Sequence, residues 1–288
     1  MILLADAVWA EAGRRLGEAG VAVRDGRIAA VGPWAELRRI ANPGEEARRL
    51  PGCCLLPGLM DAHAHLELSS LAASRPRAHD FVEWLLGVVE AKRREAREAV
   101  EAAAARAVAG LARQGTTGVA DIGASDVAWG PLLASGLRVR LDLELLGLDP
   151  ERAPAILERL EDRWRRAEGR LPEARGPASL GVSPHAPYTL SEPLWRGLAA
   201  WNRRRRAPVA CHVAESRAER TLLASGGGPF AERFYPAVGW GRLPRPRGPS
   251  PLDPLDRHGL LPGALLVHGC HLEEAELRRV AAAGASLC

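Results

Sequence analysis

From Leu55 onward the chain alternates short apolar runs with amphipathic stretches, and this alternation restricts it to a fold of β/α units. Runs at 55–63, 117–122, 138–147, 178–184, 208–213, 264–270 and 285–288 have the length and composition of strands. Helical patterns lie near 78–113, 151–168, 191–205 and 272–283. Strands in series with helices between them argue a parallel sheet. The runs are mostly apolar on both faces, as expected where helices cover one side and a core fills the other. Seven such strands in series favour a (β/α) barrel over an open sheet.

Residues 1–56 differ. Val21-Ala22-Val23 leads to Asp25-Gly26, a hairpin signal, and then to Arg27–Gly32, so a small β unit is expected before a main domain over 57–288. One connection, 217–262, is long and rich in Gly, Pro and Arg. It includes Gly226-Gly227-Gly228-Pro229 and Pro244-Arg245-Pro246-Arg247-Gly248-Pro249. A loop of that length after a strand's C-terminal end is expected to be a lid over the active face.

With 288 residues, 47% of them hydrophobic and 26% charged, the chain can bury a large core. Its net charge of +4 is spread among mixed signs. The one dense basic run, Arg203–Arg206, follows an amphipathic segment and suits a helix C-terminus. No basic stripe interleaved with aromatics is present, so no nucleic-acid partner is expected. Five cysteines without C-x-x-C spacing are expected to be reduced and mostly buried, in a cytoplasmic protein. The N-terminus lacks a basic n-region, and no run approaches the roughly 18 apolar residues of a membrane helix.

Histidines mark the ends of the strand runs. His63 and His65 end the first, His185 follows 178–184, His212 and Glu215 follow Pro208–Cys211, and His268 and His271 follow Ala264–Val267. In a parallel barrel all strand C-termini share one face, where catalytic groups gather. Strand alternation puts His63 and His65 on one side, so that both can reach one metal ion. His212 is the natural third imidazole. Glu215, three residues on, could move a proton between water and a leaving group. His268 could hydrogen-bond the same water or a developing oxyanion, and His185 and Glu67 are placed to contact substrate. The competing readings are a satisfied core histidine for His212 and, for Glu215, an acid favoured by a helix N-terminus. His79, His258 and His271 carry no chemical weight. The sole lysine, Lys92, lies mid-helix and is expected to be exposed. It is not a strand-end lysine that could bridge two metals, so one metal is expected.

Taken together, Pro57-Gly58-Leu59-Met60-Asp61-Ala62-His63-Ala64-His65, Ser183-Pro184-His185-Ala186-Pro187-Tyr188, His212-Val213-Ala214-Glu215-Ser216 and Val267-His268-Gly269-Cys270-His271-Leu272 resemble the amidohydrolase superfamily, within it the mononuclear deaminase and chlorohydrolase branch. The resemblance implies an α/β fold: a (β/α)8 TIM-type barrel with a small β-sandwich built from both chain ends. It implies one divalent metal, zinc or iron, on His63, His65 and His212, with Glu215 as proton shuttle, His268 beside the water and His185 on the substrate. His65-Leu66-Glu67-Leu68-Ser69 and the Gly-Gly-Gly-Pro-Phe segment are similar to deaminases of adenine-bearing nucleosides, the aminodeoxyfutalosine deaminases of menaquinone biosynthesis among them. Adenosine, methylthioadenosine and S-adenosylhomocysteine deaminases compete with that reading. The implied partner is a purine nucleoside-like small molecule, with a homodimer compatible. Relatives continue past the seventh strand to an eighth bearing an Asp ligand. Here no Asp follows Asp256, so the expectation is a barrel incomplete at its C-terminus, or a truncated, inactive one.

Overall fold

Pro57 and Gly58 divide the first apolar run in two. Proline offers no amide to a ladder and holds its predecessor extended, so one strand ends at Leu55 and the next begins at Leu59, where the sequence suggested a single strand over 55–63. The computed structural model describes residues 1–11, 13–74, 78–241 and 248–288. These form two units, Met1–Leu59 and Met60–Cys288.

In the first unit, β1 (Ile2–Glu11) pairs antiparallel with β2 (Arg14–Arg24) and parallel with β4 (Ala47–Leu55). The chain reaches β3 (Arg27–Pro33) through Asp25 and Gly26, both left-handed at φ 51° and 69°. That geometry matches the right-handed twist of a two-residue hairpin. Helix α1 (Trp34–Arg39) lays Leu37 against Ile2, Leu4 and Ala22. The unit is one sheet in the order β3-β2-β1-β4. The second sheet that a sandwich requires is not formed within it.

The second unit runs β5 (Leu59–Ala64), a 3₁₀ stretch (Leu66–Ser74), α2 (Phe81–Arg94), α3 (Arg97–Arg113), β6 (Thr116–Gly123), α4 (Trp129–Ala134), β7 (Arg138–Leu145), α5 (Ala153–Arg170) and β8 (Ala178–Pro184). It continues through α6 (Glu192–Arg205), β9 (Ala210–Val213), α7 (Arg217–Ser225), α8 (Tyr235–Ala237), α9 (Asp253–Arg257), β10 (Leu265–His268), α10 (Glu274–Ala282) and β11 (Ser286–Leu287). Strands β6, β7 and β8 are parallel, as are β9, β10 and β11. Strand order follows the chain in two sheets, β5-β6-β7-β8 and β9-β10-β11. A single parallel bridge, Val182 to Val209, links them. Among the described residues no ladder joins β11 to β5, so the sheets form an arc and not a closed ring.

The outward faces of the strands carry the main core. Val119, Leu141, Leu143, Leu180, Val182 and Leu266 pack against helix residues such as Trp129, Leu160, Trp164 and Trp195. Helix α5 shows why its sequence is helical: Ile156, Leu160, Trp164 and Ala167 fall on one buried stripe. Each such aliphatic side chain contributes roughly 1.5–3 kcal/mol on burial. A second core gathers Val82, Leu148, Tyr188, Phe230, Phe234 and Tyr235.

These two cores explain why the helical pattern near 78–113 becomes two helices. Val82 of α2 belongs to the second core, whereas Ala104 and Val108 of α3 belong to the main one. The chain turns between them through Glu95 and Ala96, both extended. The expected lid over 217–262 is likewise replaced. It contains α7, a π-turn (Phe230–Phe234), α8 and α9, and Phe230, Tyr235 and Leu255 are fully buried. This stretch is packed wall; residues 244–247 of its proline-rich tract lie outside the described residues. The cysteines also differ from expectation, since Cys53, Cys54, Cys270 and Cys288 are exposed and only Cys211 is buried. Among the described residues no helix is long and apolar enough to cross a membrane.

Helix α5 also fixes the strand ends. The half-buried Arg163 donates to the carbonyls of Glu144 (2.8 Å) and Gly123 (2.7 Å), at the C-termini of β7 and β6. Arg163→Met leaves both acceptors without their donor and is expected to destabilise the protein by about 2–4 kcal/mol. Urea denaturation checks this; an unchanged midpoint refutes it.

Candidate active site

Four strands deliver histidines to one end of the arc. His63 lies in β5 with His65 just after it, His185 follows β8, His212 is in β9 and His268 ends β10. The His63 ring centroid is 4.8 Å from that of His65, 4.9 Å from His212 and 5.4 Å from His268. His65 and His212 stack nearly parallel, with Nε2 atoms 3.0 Å apart.

The protons of these two rings are committed elsewhere. His212 Nδ1 donates to the His185 carbonyl at 2.7 Å, and the ring of His65 donates to the Ile122 carbonyl. Burial, aided by neighbouring rings, holds His212 far below the usual imidazole range and His63 at about 3; burial also lowers His65. Each neutral ring therefore has one bare nitrogen, and two bare nitrogens face each other at contact distance. Without a cation between them that arrangement is repulsive. His63 adds a buried Nδ1 with no protein partner, and the ligand atoms of His63, His65 and His212 all lie within 4.8 Å of one another. The donor set fits one divalent metal of the zinc type, with backbone carbonyls fixing the tautomers.

Glu215, on the turn leaving β9, has Oε1 3.3 Å from His268 Nε2. Burial pushes its carboxyl up to about 7 and lowers the His268 imidazole, so both are drawn toward their neutral forms. A carboxyl poised near neutrality can accept and return a proton. His185 is half-buried, held at about 3 mainly by desolvation, and its Nδ1 lies 3.1 Å from Thr189 Oγ1. The pocket over these groups is polar on the strand side. Its other wall is apolar, with Phe81, Trp84 and Leu85 of α2 facing Tyr188, Phe234 and Trp240.

Glu67 lines the same pocket, and both of its oxygens are engaged. Its Oε2 accepts from Ser125 N (2.9 Å) and Ser125 Oγ (2.5 Å), and its Oε1 pairs with Lys92. Lys92 is helical and half exposed, as its sequence position suggested, yet its ammonium reaches into the pocket to this buried carboxylate. Proximity in space, invisible in the linear pattern, gives the lysine its place. Three further groups escape the sequence reading. Asp121 accepts from Leu66 N at 2.8 Å and fixes the turn after His65. The buried Glu144 of β7 lies beside His185 and His212. Glu219 holds the Glu215 turn. Glu144 had a signal: Arg138, Arg140, Asp142 and Glu144 alternate along β7, marking a polar inner face where the run was taken as apolar on both sides.

Comparison with known proteins places this arrangement. Residues 54–288 match the amidohydrolase family, and residues 19–40 match a bacterial imidazolonepropionase-like composite domain. The aminodeoxyfutalosine deaminase of Deinococcus radiodurans is 32% identical over 303 residues, covering 99% of this chain and 68% of that protein. A 5-methylthioadenosine/S-adenosylhomocysteine deaminase of Syntrophobacter fumaroxidans is 32% identical over 221 residues, 72% of this chain and 47% of that protein. The chain thus spans from about half to two thirds of these relatives. In fold it superposes on Helicobacter pylori aminofutalosine deaminase bound to methylthio-coformycin with a TM-score of 0.81, at 21% identity over 99% of this chain and 68% of the other. A zinc-bound Xanthomonas campestris adenosine deaminase gives 0.65, at 24% identity over 99% and 61%.

The Glu67–Lys92 pair makes a pH prediction. Burial alone would raise Glu67, but Lys92 and Ser125 outweigh it and hold the carboxyl below its ordinary value. A depressed acid stabilises the fold above its unfolded pKa, and that contribution is lost as pH falls through the folded pKa. Lys92→Met therefore weakens the protein by about 1–2 kcal/mol at neutral pH, discounted for the half-exposed lysine. It also moves the onset of acid destabilisation to higher pH. Melting curves from pH 3 to 8 measure both, and superimposable profiles refute the assignment.

Proposed function

The chain belongs to the amidohydrolase family, and we propose that it is a metal-dependent deaminase of an adenine-type nucleoside, 6-amino-6-deoxyfutalosine being the preferred candidate. The carrying observation is the pair of bare Nε2 atoms of His65 and His212, 3.0 Å apart beside Glu215. The Deinococcus relative and the extent of its match support this substrate. The 5-methylthioadenosine/S-adenosylhomocysteine deaminases at 25–32% identity support the second reading, a purine nucleoside with a different 5′ substituent.

In this reading His63, His65 and His212 hold one metal, zinc in the first instance. When bound, it supplies a Lewis acid that makes water a nucleophile at neutral pH. Glu215 takes a proton from the attacking water and delivers it to the ring nitrogen; the second water proton then passes from the new hydroxyl to the amino group, so that the C–N bond breaks, ammonia leaves and the carbonyl forms. His268 hydrogen-bonds on the side of attack. His185, half-buried and neutral, contacts the purine. Glu67, with Ser125 and Lys92 on its two oxygens, offers substrate its remaining lone pair.

Two measurements test this. Glu215→Gln is expected to lower ammonia release from adenine nucleosides by about 100-fold or more, the usual scale of acid–base catalysis, with metal content unchanged. Undiminished release refutes the role, and release of chloride or a ring-opened acid from other substrates points to a different family chemistry. Removing metal with a chelator is expected to lower the thermal midpoint by about 5–15 °C, since a tightly held ligand stabilises by roughly 3–4 kcal/mol. Zinc should restore it; a midpoint indifferent to chelation removes the metal from the account.

A further inference from the structure

Glu215 and His268 both depend on left-handed backbone at non-glycine residues: Ala214, immediately before Glu215, has φ 51°, and His268 itself has φ 75°. Such conformations are strained and persist only where neighbours over-determine them. At Ala214 the neighbours are specific. Glu219, on the first turn of α7 and fully buried, accepts from Ala214 N through Oε1 and from Glu215 N through Oε2, each at 2.9 Å. The Ala214 carbonyl accepts from His271 N (2.9 Å), and the Val213 carbonyl accepts from Gly269 N (2.9 Å). Ser216, the N-cap of α7, accepts from Glu219 N at 3.3 Å and so fixes the base of the Glu219 side chain.

This is not an ordinary capping box. There the acidic residue would return to the N-cap amide; here it reaches past Ser216 to the two amides before it. A fully buried carboxyl group is costly to place, and both of its oxygens serve the peptide units that aim Glu215. We propose that Glu219 is a positioning residue: its carboxyl group clamps the Ala214–Glu215 backbone and so sets where the Glu215 carboxyl stands beside His268 and the histidine cluster. The inference rests on the role given to Glu215 above, and the two can fail separately.

The test uses Glu219→Gln in the full chain. Glutamine keeps the size but replaces one acceptor oxygen with a donor, which opposes one of the two amides. Backbone amide exchange at Ala214 and Glu215 is expected to speed up by about tenfold or more. kcat for nucleoside deamination is expected to fall about 10- to 100-fold, the scale of a small misplacement, with KM and bound metal within about twofold. A merely structural role would lower stability and leave kcat per folded molecule intact. Faster exchange with unchanged kcat, or reduced kcat with both amides still protected, overturns the proposal. If the variant does not fold, Ser216→Ala loosens the same clamp, and a smaller change in both readouts is expected; no change in either overturns it. A parent chain with no deaminase activity would remove the functional reading, while amide exchange and the Glu215–His268 separation in a crystal structure of the variant would still decide the clamp.

Discussion

Two neutral imidazoles with their lone pairs turned toward each other organise this molecule. His65 follows the first strand of one sheet and His212 lies in the first strand of the next, and each donates its ring N–H to a backbone carbonyl. Among the described residues the nitrogens that remain meet only one another, an arrangement that suits a cation. The surrounding features serve that requirement: Asp121 fixes the turn after His65, the His185 carbonyl orients His212, and Arg163 secures the ends of β6 and β7.

Much of this was legible in the sequence because strand geometry converts spacing into direction. His63 and His65 share a side through period-two alternation, and polar residues at strand ends converge wherever strands are parallel. What escaped was the product of tertiary proximity. Lys92 reads as one more charge on a helix, and only the packing of α2 across the pocket brings it to Glu67. Helix 78–113 carries no glycine or proline at Glu95–Ala96 to announce its break, which follows from two cores pulling on its two halves. The connection after β9 has the composition of a loop, yet Phe230, Phe234 and Tyr235 anchor it in a core that no local pattern encodes. The exposed cysteines misled in the opposite sense, since apolar neighbours in sequence did not make buried neighbours in space.

The pocket divides its labour between elements. Strand ends supply rigid polar groups, as expected where ladder hydrogen bonds fix the backbone. Helix α2 and the segment around Phe234 and Trp240 supply the apolar wall. The chemistry is therefore held by one set of residues, and the shape of what may enter by another.

The single bridge between β8 and β9 has a mechanical meaning. Through it one sheet, bearing His63 and His65, is joined to another, bearing His212 and His268. Two backbone hydrogen bonds, from Val182 N to the Pro208 carbonyl (2.9 Å) and from His212 N to the His185 carbonyl (3.0 Å), hold this seam, and the three imidazoles straddle it. An ion held by all three would act as a cross-brace, tying the first strand of one sheet to the first strand of the next across the hollow of the arc. Its coordination bonds would then resist splaying of the two sheets, and the same atoms that arm the chemistry would carry structural tension.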